Sequence, residues 1–225
     1  MLQKFFDLIG FAVCHQLPER SIHFGGRVLP VCARETGIYL GFLFSFVFLT
    51  IVNRKREHGF PPLYVLIFAL IGITLMAVDG FTSYAGLRST TNAIRLFTGI
   101  LAGSALPLVL LPIFNYQAWS ESSPERIIRS GYHFVAFAAS LFALFLLVES
   151  RFIVLYLPLS LVITFTIIFA FFFINLILIT MIPLWTKKAG KLRDLAIPVL
   201  IAVAFTAVEL TLSYNLHRFL LSRIT

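Results

Sequence analysis

Charge is scarce in this sequence, and acid is scarcer still. Of 225 residues only 12% are charged while 59% are hydrophobic, and 10 acids face 18 Lys and Arg. A soluble domain of this length carries about twice that charged fraction, so a soluble globular fold is excluded. Strict alternation of polar and apolar residues is also missing, which excludes a β-barrel. There is no nucleotide-binding glycine loop, no Gly-x-Ser-x-Gly and no His-Glu-x-x-His, so three common enzyme signatures are absent. No cleaved leader is expected, because Lys4 alone precedes a short apolar stretch and Cys14-His15-Gln16 is not a small-residue cleavage site. Cysteine is limited to two residues, Cys14 and Cys32.

What is present is a series of apolar runs of about 20 residues, the length that crosses a bilayer as a helix. The expected fold is all-α: a polytopic helical membrane protein in one domain over residues 1–225, with about six transmembrane helices. A short N-terminal amphipathic helix precedes them. Leu2, Phe5, Phe6, Ile9 and Val13 fall at helical spacing opposite Gln3, Lys4 and Asp7, which suits a helix lying in the interface. The spans are expected near 37–52, 61–78, 93–114, 132–148 and 195–216. The run 152–185 is too long for one straight crossing. It reads either as a tilted helix kinked near Pro158 or as a short interfacial turn followed by a span.

Basic clusters at 54–56, 126–129 and 187–193 mark the inner loops. The net charge of +8 is therefore read as topology, with the lipid bilayer as partner and no nucleic acid. This orientation places two polar stretches, 14–37 and 79–95, on the extracytoplasmic side of the cell membrane. The first contains both cysteines and Pro18, Gly25, Gly26 and Pro30. It reads as an ordered loop with room for one helical turn.

The pattern Cys-His-Gln, Pro-x-Arg-Ser, Gly-Arg, Pro-x-Cys-Ala-Arg and Thr-Gly-Ile-Tyr-x-Gly resembles a family of small prokaryotic integral membrane proteins grouped only as a domain of unknown function. Asp79-Gly80, Gly86, Arg88, Ser89-Thr90, Asn92, Arg95, Thr98-Gly99 and Gly103 fit the same family. The likeness covers 14–103, and 132–216 match only as generic hydrophobic helices. The resemblance implies a multi-pass membrane fold and brings no reaction with it. One departure stands out. Three residues after the second cysteine, where the family pattern has another cysteine, this chain has Glu35. That argues against a Cys-x-x-Cys dithiol and leaves a carboxylate in a ligand's place.

Cys14, His15, Cys32 and Glu35 form a candidate metal set, with zinc the metal their chemistry suits and His23 in reserve. A disulfide between the cysteines and a pair of buried thiols are the alternatives. Arg20, Arg27, Arg34, Arg88 and Arg95 are candidate anion-binding residues, because the guanidinium fork matches phosphate. Pairing with Glu19, Glu35 and Asp79 is the structural alternative. His15 and Asp79 are the candidate catalytic groups. Asp79 is expected to end its helix and to need an arginine partner. Asn175, Glu209 and His133 are further polar groups in or near apolar spans.

The expected function is action on a phosphorylated lipid or a similar anion as hydrolase or transferase. The alternatives are a carrier or flippase for an anionic head group, and a structural protein with a disulfide-stapled outer loop. Finally, Arg34-Glu35-Thr36-Gly37-Ile38 and Arg95-Leu96-Phe97-Thr98-Gly99-Ile100 begin two spans alike, each with a second glycine, Gly41 or Gly103, four positions on. That spacing predicts close packing of the two helices, with Thr36 and Thr98 as caps.

Overall fold

The computed structural model describes residues 2–53 and 55–224. It contains six helices long and apolar enough to cross a membrane. An amphipathic helix, α1 (Leu2–Val13), precedes them. Phe6, Ile9 and Ala12 of α1 are buried, while Leu2, Phe5 and Leu8 remain exposed. The helix thus has one apolar face against the protein and one apolar edge free for lipid.

The stretch after α1 is where sequence reasoning fell short. It is not a loop with a helical turn alone. A 3-10 turn over Pro18–Arg20 leads into a hairpin of β1 (Ser21–Phe24) and β2 (Arg27–Cys32). The strands are antiparallel, pairing His23 with Val28 and Phe24 with Arg27. Gly25 and Gly26 make the two-residue turn with φ of +55° and +83°, the left-handed pair that this turn requires. Ile22, Phe24, Leu29 and Val31 are all buried. A two-stranded hairpin is marginal alone, and three side-chain anchors hold this one. Gln16 donates to Pro30 O at 2.8 Å, Asn92 donates to Ser21 O at 3.0 Å, and Cys32 N–H donates to Cys14 Sγ at 3.2 Å.

The spans are α2 (Ala33–Val52), α3 (Leu63–Tyr84), α4 (Asn92–Ala118), α5 (Gly131–Glu149), α6 (Tyr156–Thr180) and α7 (Ala196–Ile224). The long run after Arg151 resolves into a 3-10 turn at Ile153–Leu155 followed by α6. Pro158 falls in the first turn of α6, where no intrahelical amide bond is lost. Three spans outrun their expected ends, α4 by one turn to Ala118. α3 continues past Asp79 because that carboxylate is neutralised by cations rather than left at a helix end. α7 runs on to Ile224, well past 216.

α2 and α4 pack most closely. A Cβ on Gly37 would meet Leu96 O at 2.3 Å, on Gly41 Ile100 O at 2.3 Å, on Gly99 Arg34 O at 2.2 Å and on Gly103 Ile38 O at 2.0 Å. The four glycines therefore let backbone touch backbone, as their spacing predicted. Ser45 Oγ donates across the same interface to Ser104 O at 2.9 Å. The expected threonine caps are not caps. Thr91 caps α4 by accepting from Ile94 N–H, and Thr98 lies a turn further in, donating to Ile94 O at 2.9 Å. α2 starts before Thr36, which is fully buried inside it.

The helix ends fall into two groups. The starts of α2, α4 and α6 share one end with the hairpin; this is the motif end. The basic connections share the other. There β3 (Glu57–Gly59) pairs in parallel with β4 (Ser123–Arg126). Buried Glu57 meets Arg129 at 2.6 Å. Asn115 Nδ2 donates to Glu57 O at 2.7 Å. Trp119 bridges to Ala189, and Arg56 lies 3.6 Å over the Trp119 ring while donating to Gly190 O.

Candidate functional site at the motif end

Cys14 follows α1 directly, its N–H bonded to Gly10 O at 2.9 Å. Cys32 closes β2 and stands as the residue before α2, and Glu35 lies in that helix's first turn. The hairpin folds the chain back so that the ligand atoms of Cys14, Cys32 and Glu35 lie within 4.8 Å of one another. Both thiols are free, Cys14 buried and Cys32 partly so. Cys14 Sγ accepts the N–H groups of Cys32 at 3.2 Å and Gln16 at 3.4 Å. Glu35 Oε2 is buried with no hydrogen-bond partner. A cavity of about 40 Å³ opens here, lined by Cys14, His15, Gln16, Arg20, Glu35 and Tyr84 among others.

The two thiols are driven apart. A hydrogen bond from Cys14 is the main influence that lowers Cys32, to about 6, helped by the amides of Arg34 and Glu35 at the helix start and by the Arg34 charge. Sharing that bond and burial raise Cys14. Cys32 is therefore the more acidic thiol of the pair. Its sulfur makes no capping bond of ordinary geometry to α2, so the helix start acts on it as a field.

Four of the five expected arginines gather around this centre. Arg34 Nη2 lies 2.6 Å from Asp79 Oδ2 and Arg88 Nη2 lies 2.7 Å from Asp79 Oδ1. Thr90 donates to the same Oδ1 at 2.7 Å. Asp79 is 2% exposed, so a buried carboxylate is fully engaged, as its expected arginine partnership required. Arg20 and Arg34 lie 4.9 and 5.9 Å over the Tyr84 ring. Arg95 holds Asn92 Oδ1 at 2.8 Å and stands within the fields of Arg20 and Arg34. Arg34 Nε is buried without a partner. Arg27 stands elsewhere, at the hairpin turn, 5.5 Å over Tyr156.

His15 lines the small cavity but does not join the three ligand atoms within 4.8 Å. It packs edge-on against His217 of α7, with ring centroids 4.5 Å apart. His217 stacks on Phe11 at 4.3 Å, and its Nδ1 is 2.7 Å from Phe11 O. A carbonyl only accepts, so Nδ1 donates, and Nε2 is buried without a partner. Sequence reasoning missed His217, because it falls beyond the expected end of its span. It also missed Tyr84, expected in an outer loop but the last residue of α3 and exposed. His23 is exposed and bonds Pro18 O at 3.0 Å. Asn175 and Glu209 pair with each other at 2.7 Å between α6 and α7, and His133 Nδ1 meets Ser130 Oγ at 2.9 Å, both away from the motif end.

A six-span helical bundle with a compact polar centre at one end defines a multi-pass membrane protein. The family described as "Predicted membrane protein (DUF2085)" matches residues 14–109. The "Uncharacterized protein MJ1492" of Methanocaldococcus jannaschii is 39% identical over 115 residues, 49% of this chain and 72% of that protein. An uncharacterized protein of Methanothermobacter thermautotrophicus is 35% identical over 97 residues, 43% of this chain and 83% of that protein. The chain belongs to this family. No solved structure matches it. The matched stretch holds the hairpin, α2, α3 and most of α4, whereas His217 lies outside it.

Proposed function

We propose that the motif end faces away from the cytoplasm, binds the phosphate of a phosphorylated lipid, and transfers its phosphoryl group to water or another alcohol. The observation that carries this reading is the convergence of Cys14, Cys32 and Glu35 within 4.8 Å, with a buried, unpartnered carboxylate oxygen, beneath a ring of arginines. Two thiols and a carboxylate suit zinc, and an open fourth position suits a catalytic site. A zinc ion held there would polarise a phosphoryl oxygen or activate water. Arg20, Arg34, Arg88 and Arg95 supply the phosphate fork. In hydrolysis the water oxygen bonds to phosphorus as the bond to the lipid oxygen breaks. The lipid alcohol leaves with a proton from His15, which is exposed at the cavity, and the proton released by the attacking water returns to His15. Asp79 serves as the anchor of the arginines, since both its oxygens are already bonded.

That same engagement of Asp79 favours a second reading, a carrier that binds the head group without chemistry, because it leaves no free aspartate as base. Metal analysis of the purified protein separates the two. The first reading expects about one zinc per chain, lost in Cys32→Ser and Glu35→Gln. Two free thiols with no metal in the wild-type protein would remove the catalytic reading.

A further inference from the structure

The roomiest of the cavities described is not at the cysteines. It measures about 700 Å³ and lies between α1, the hairpin and the start of α6. This is the size of a site for a ligand larger than an ion. Its walls are of two kinds. Leu2, Phe6, Leu29 and Leu157 supply apolar surface, while Asp7 and Arg27 supply one charge of each sign.

The two charges are not spent on each other. Among the described residues neither Asp7 nor Arg27 enters an ion pair. Each is instead held in place by a neutral neighbour. Gln3 Nε2 donates to Asp7 Oδ1 at 2.9 Å, leaving Oδ2 free of that bond. Arg27 lies over the Tyr156 ring at 5.5 Å, and the Tyr156 hydroxyl in turn donates to Gln3. Gln16 closes the wall, its amide nitrogen donating to Asp7 O and Pro30 O. Lys4 and Arg218 line a separate, shallower cavity that Asp7 also borders, and neither pairs with Asp7 within the distance of an ion pair among the described residues.

A cavity with one carboxylate, one guanidinium and an apolar floor is complementary to an amphiphile carrying one ammonium and one phosphate. The apolar floor continues into the exposed edge of α1, where Leu2, Phe5 and Leu8 stand free, so an acyl chain leaving the cavity finds apolar surface. We infer that this cavity binds a phospholipid with a primary ammonium in its head group, the phosphate on Arg27, the ammonium on Asp7, and the first carbons of the chain over Leu29 and Leu157. The ammonium must be a hydrogen-bond donor, because Asp7 offers only acceptors. A choline head group lacks that donor, and a glycerol head group lacks the cation. The site borders the cysteine centre at Gln16 and needs no reaction there.

The test uses full-length protein in detergent with phosphatidylethanolamine, phosphatidylcholine and phosphatidylglycerol of the same chains, read by native mass spectrometry. A charge-assisted bond to Asp7 predicts phosphatidylethanolamine about tenfold tighter than either competitor. Asp7→Asn should erase that preference, and Arg27→Gln should weaken all three by about tenfold. Both side chains are exposed, so the fold is expected to survive. Leu157→Trp gives a reporter at the cavity, since the native Trp119 and Trp185 lie at the basic end of the bundle. Brominated phosphatidylethanolamine should quench it more than brominated phosphatidylglycerol. Equal or tighter binding of phosphatidylglycerol in the wild-type protein, or a preference unchanged by Asp7→Asn, would overturn the inference. So would quenching of the introduced tryptophan that does not depend on the head group.

Discussion

Replacing Gly103 with alanine places a methyl group 2.0 Å from Ile38 O, where ordinary contact begins near 3.4 Å. The obstacle is backbone on a neighbouring helix, so no rotamer change relieves it. α2 and α4 must separate by about 1.4 Å at that level to restore ordinary contact. The Ser45–Ser104 hydrogen bond, now 2.9 Å, then stretches out of range, a loss of about 1 kcal/mol. Overpacking adds roughly 1–3 kcal/mol, so the expected destabilisation is about 2–4 kcal/mol. Two other glycines calibrate it. A Cβ on Gly72 would sit 3.0 Å from the Leu101 Cβ and one on Gly131 would meet nothing within 4 Å. Gly72→Ala should therefore cost about 1 kcal/mol and Gly131→Ala less than about 0.5 kcal/mol. Reversible unfolding in mixed detergent micelles, followed by tryptophan fluorescence, gives the three values. If Gly103→Ala falls within error of Gly131→Ala, backbone contact between α2 and α4 does not carry the stability assigned to it.

Four further outcomes are expected. Asp79→Asn should destabilise by about 3 kcal/mol, because it leaves the nearly buried Arg34 without its counter-ion. Arg88→Gln, at a side chain 51% exposed, should cost less than about 1 kcal/mol, and equal losses in chemical unfolding would contradict the hub role of Asp79. A brief pulse of maleimide should modify Cys32 before Cys14, read by peptide mass spectrometry; labelling at equal rates would mean that Cys32 is not the more acidic thiol of the pair. Membrane-impermeant labelling of intact cells should reach cysteines introduced at Tyr84 and Ser150 but not at Lys55 or Lys188, and the reverse pattern would invert the proposed orientation.

The spans were legible because runs of apolar residues as long as a bilayer is thick have few alternatives. The glycine pairs of α2 and α4 were legible for a related reason: in lipid, small residues four apart have one main use. The hairpin was not read. Gly25-Gly26 between Ile22-His23-Phe24 and Val28-Leu29 carries the turn signal, but Pro18 and Pro30 on either side read as breakers. Pro30 fits in β2 because its carbonyl, not an amide, is what Gln16 uses. Helix ends were misjudged wherever a polar residue was compensated from far away. Asp79 looked like a terminus, and its partner Arg34 is 45 positions distant. The cysteine–carboxylate centre was foreseen as a set of residue types, yet its His15 turned toward a histidine from the last helix. Nothing in local spacing ties residue 15 to residue 217.

The basic end has a consequence for the order of assembly. Its strand pair joins residues near 57 and 123, and the Arg56 contact with Gly190 spans 134 positions. A chain that folds from its N-terminus can form the β3–β4 pair once the first three spans are in place. It cannot seat Ala189 on Trp119 until α6 has crossed as well. The fastening therefore closes in two stages, each conditional on an even number of further crossings having brought the chain back to the same side. A span that failed to insert would leave Glu57 buried without Arg129, or Arg56 and Trp119 without Gly190 and Ala189. Such a chain would expose an unpaired edge and a stranded charge, features by which quality control could tell it from a finished one.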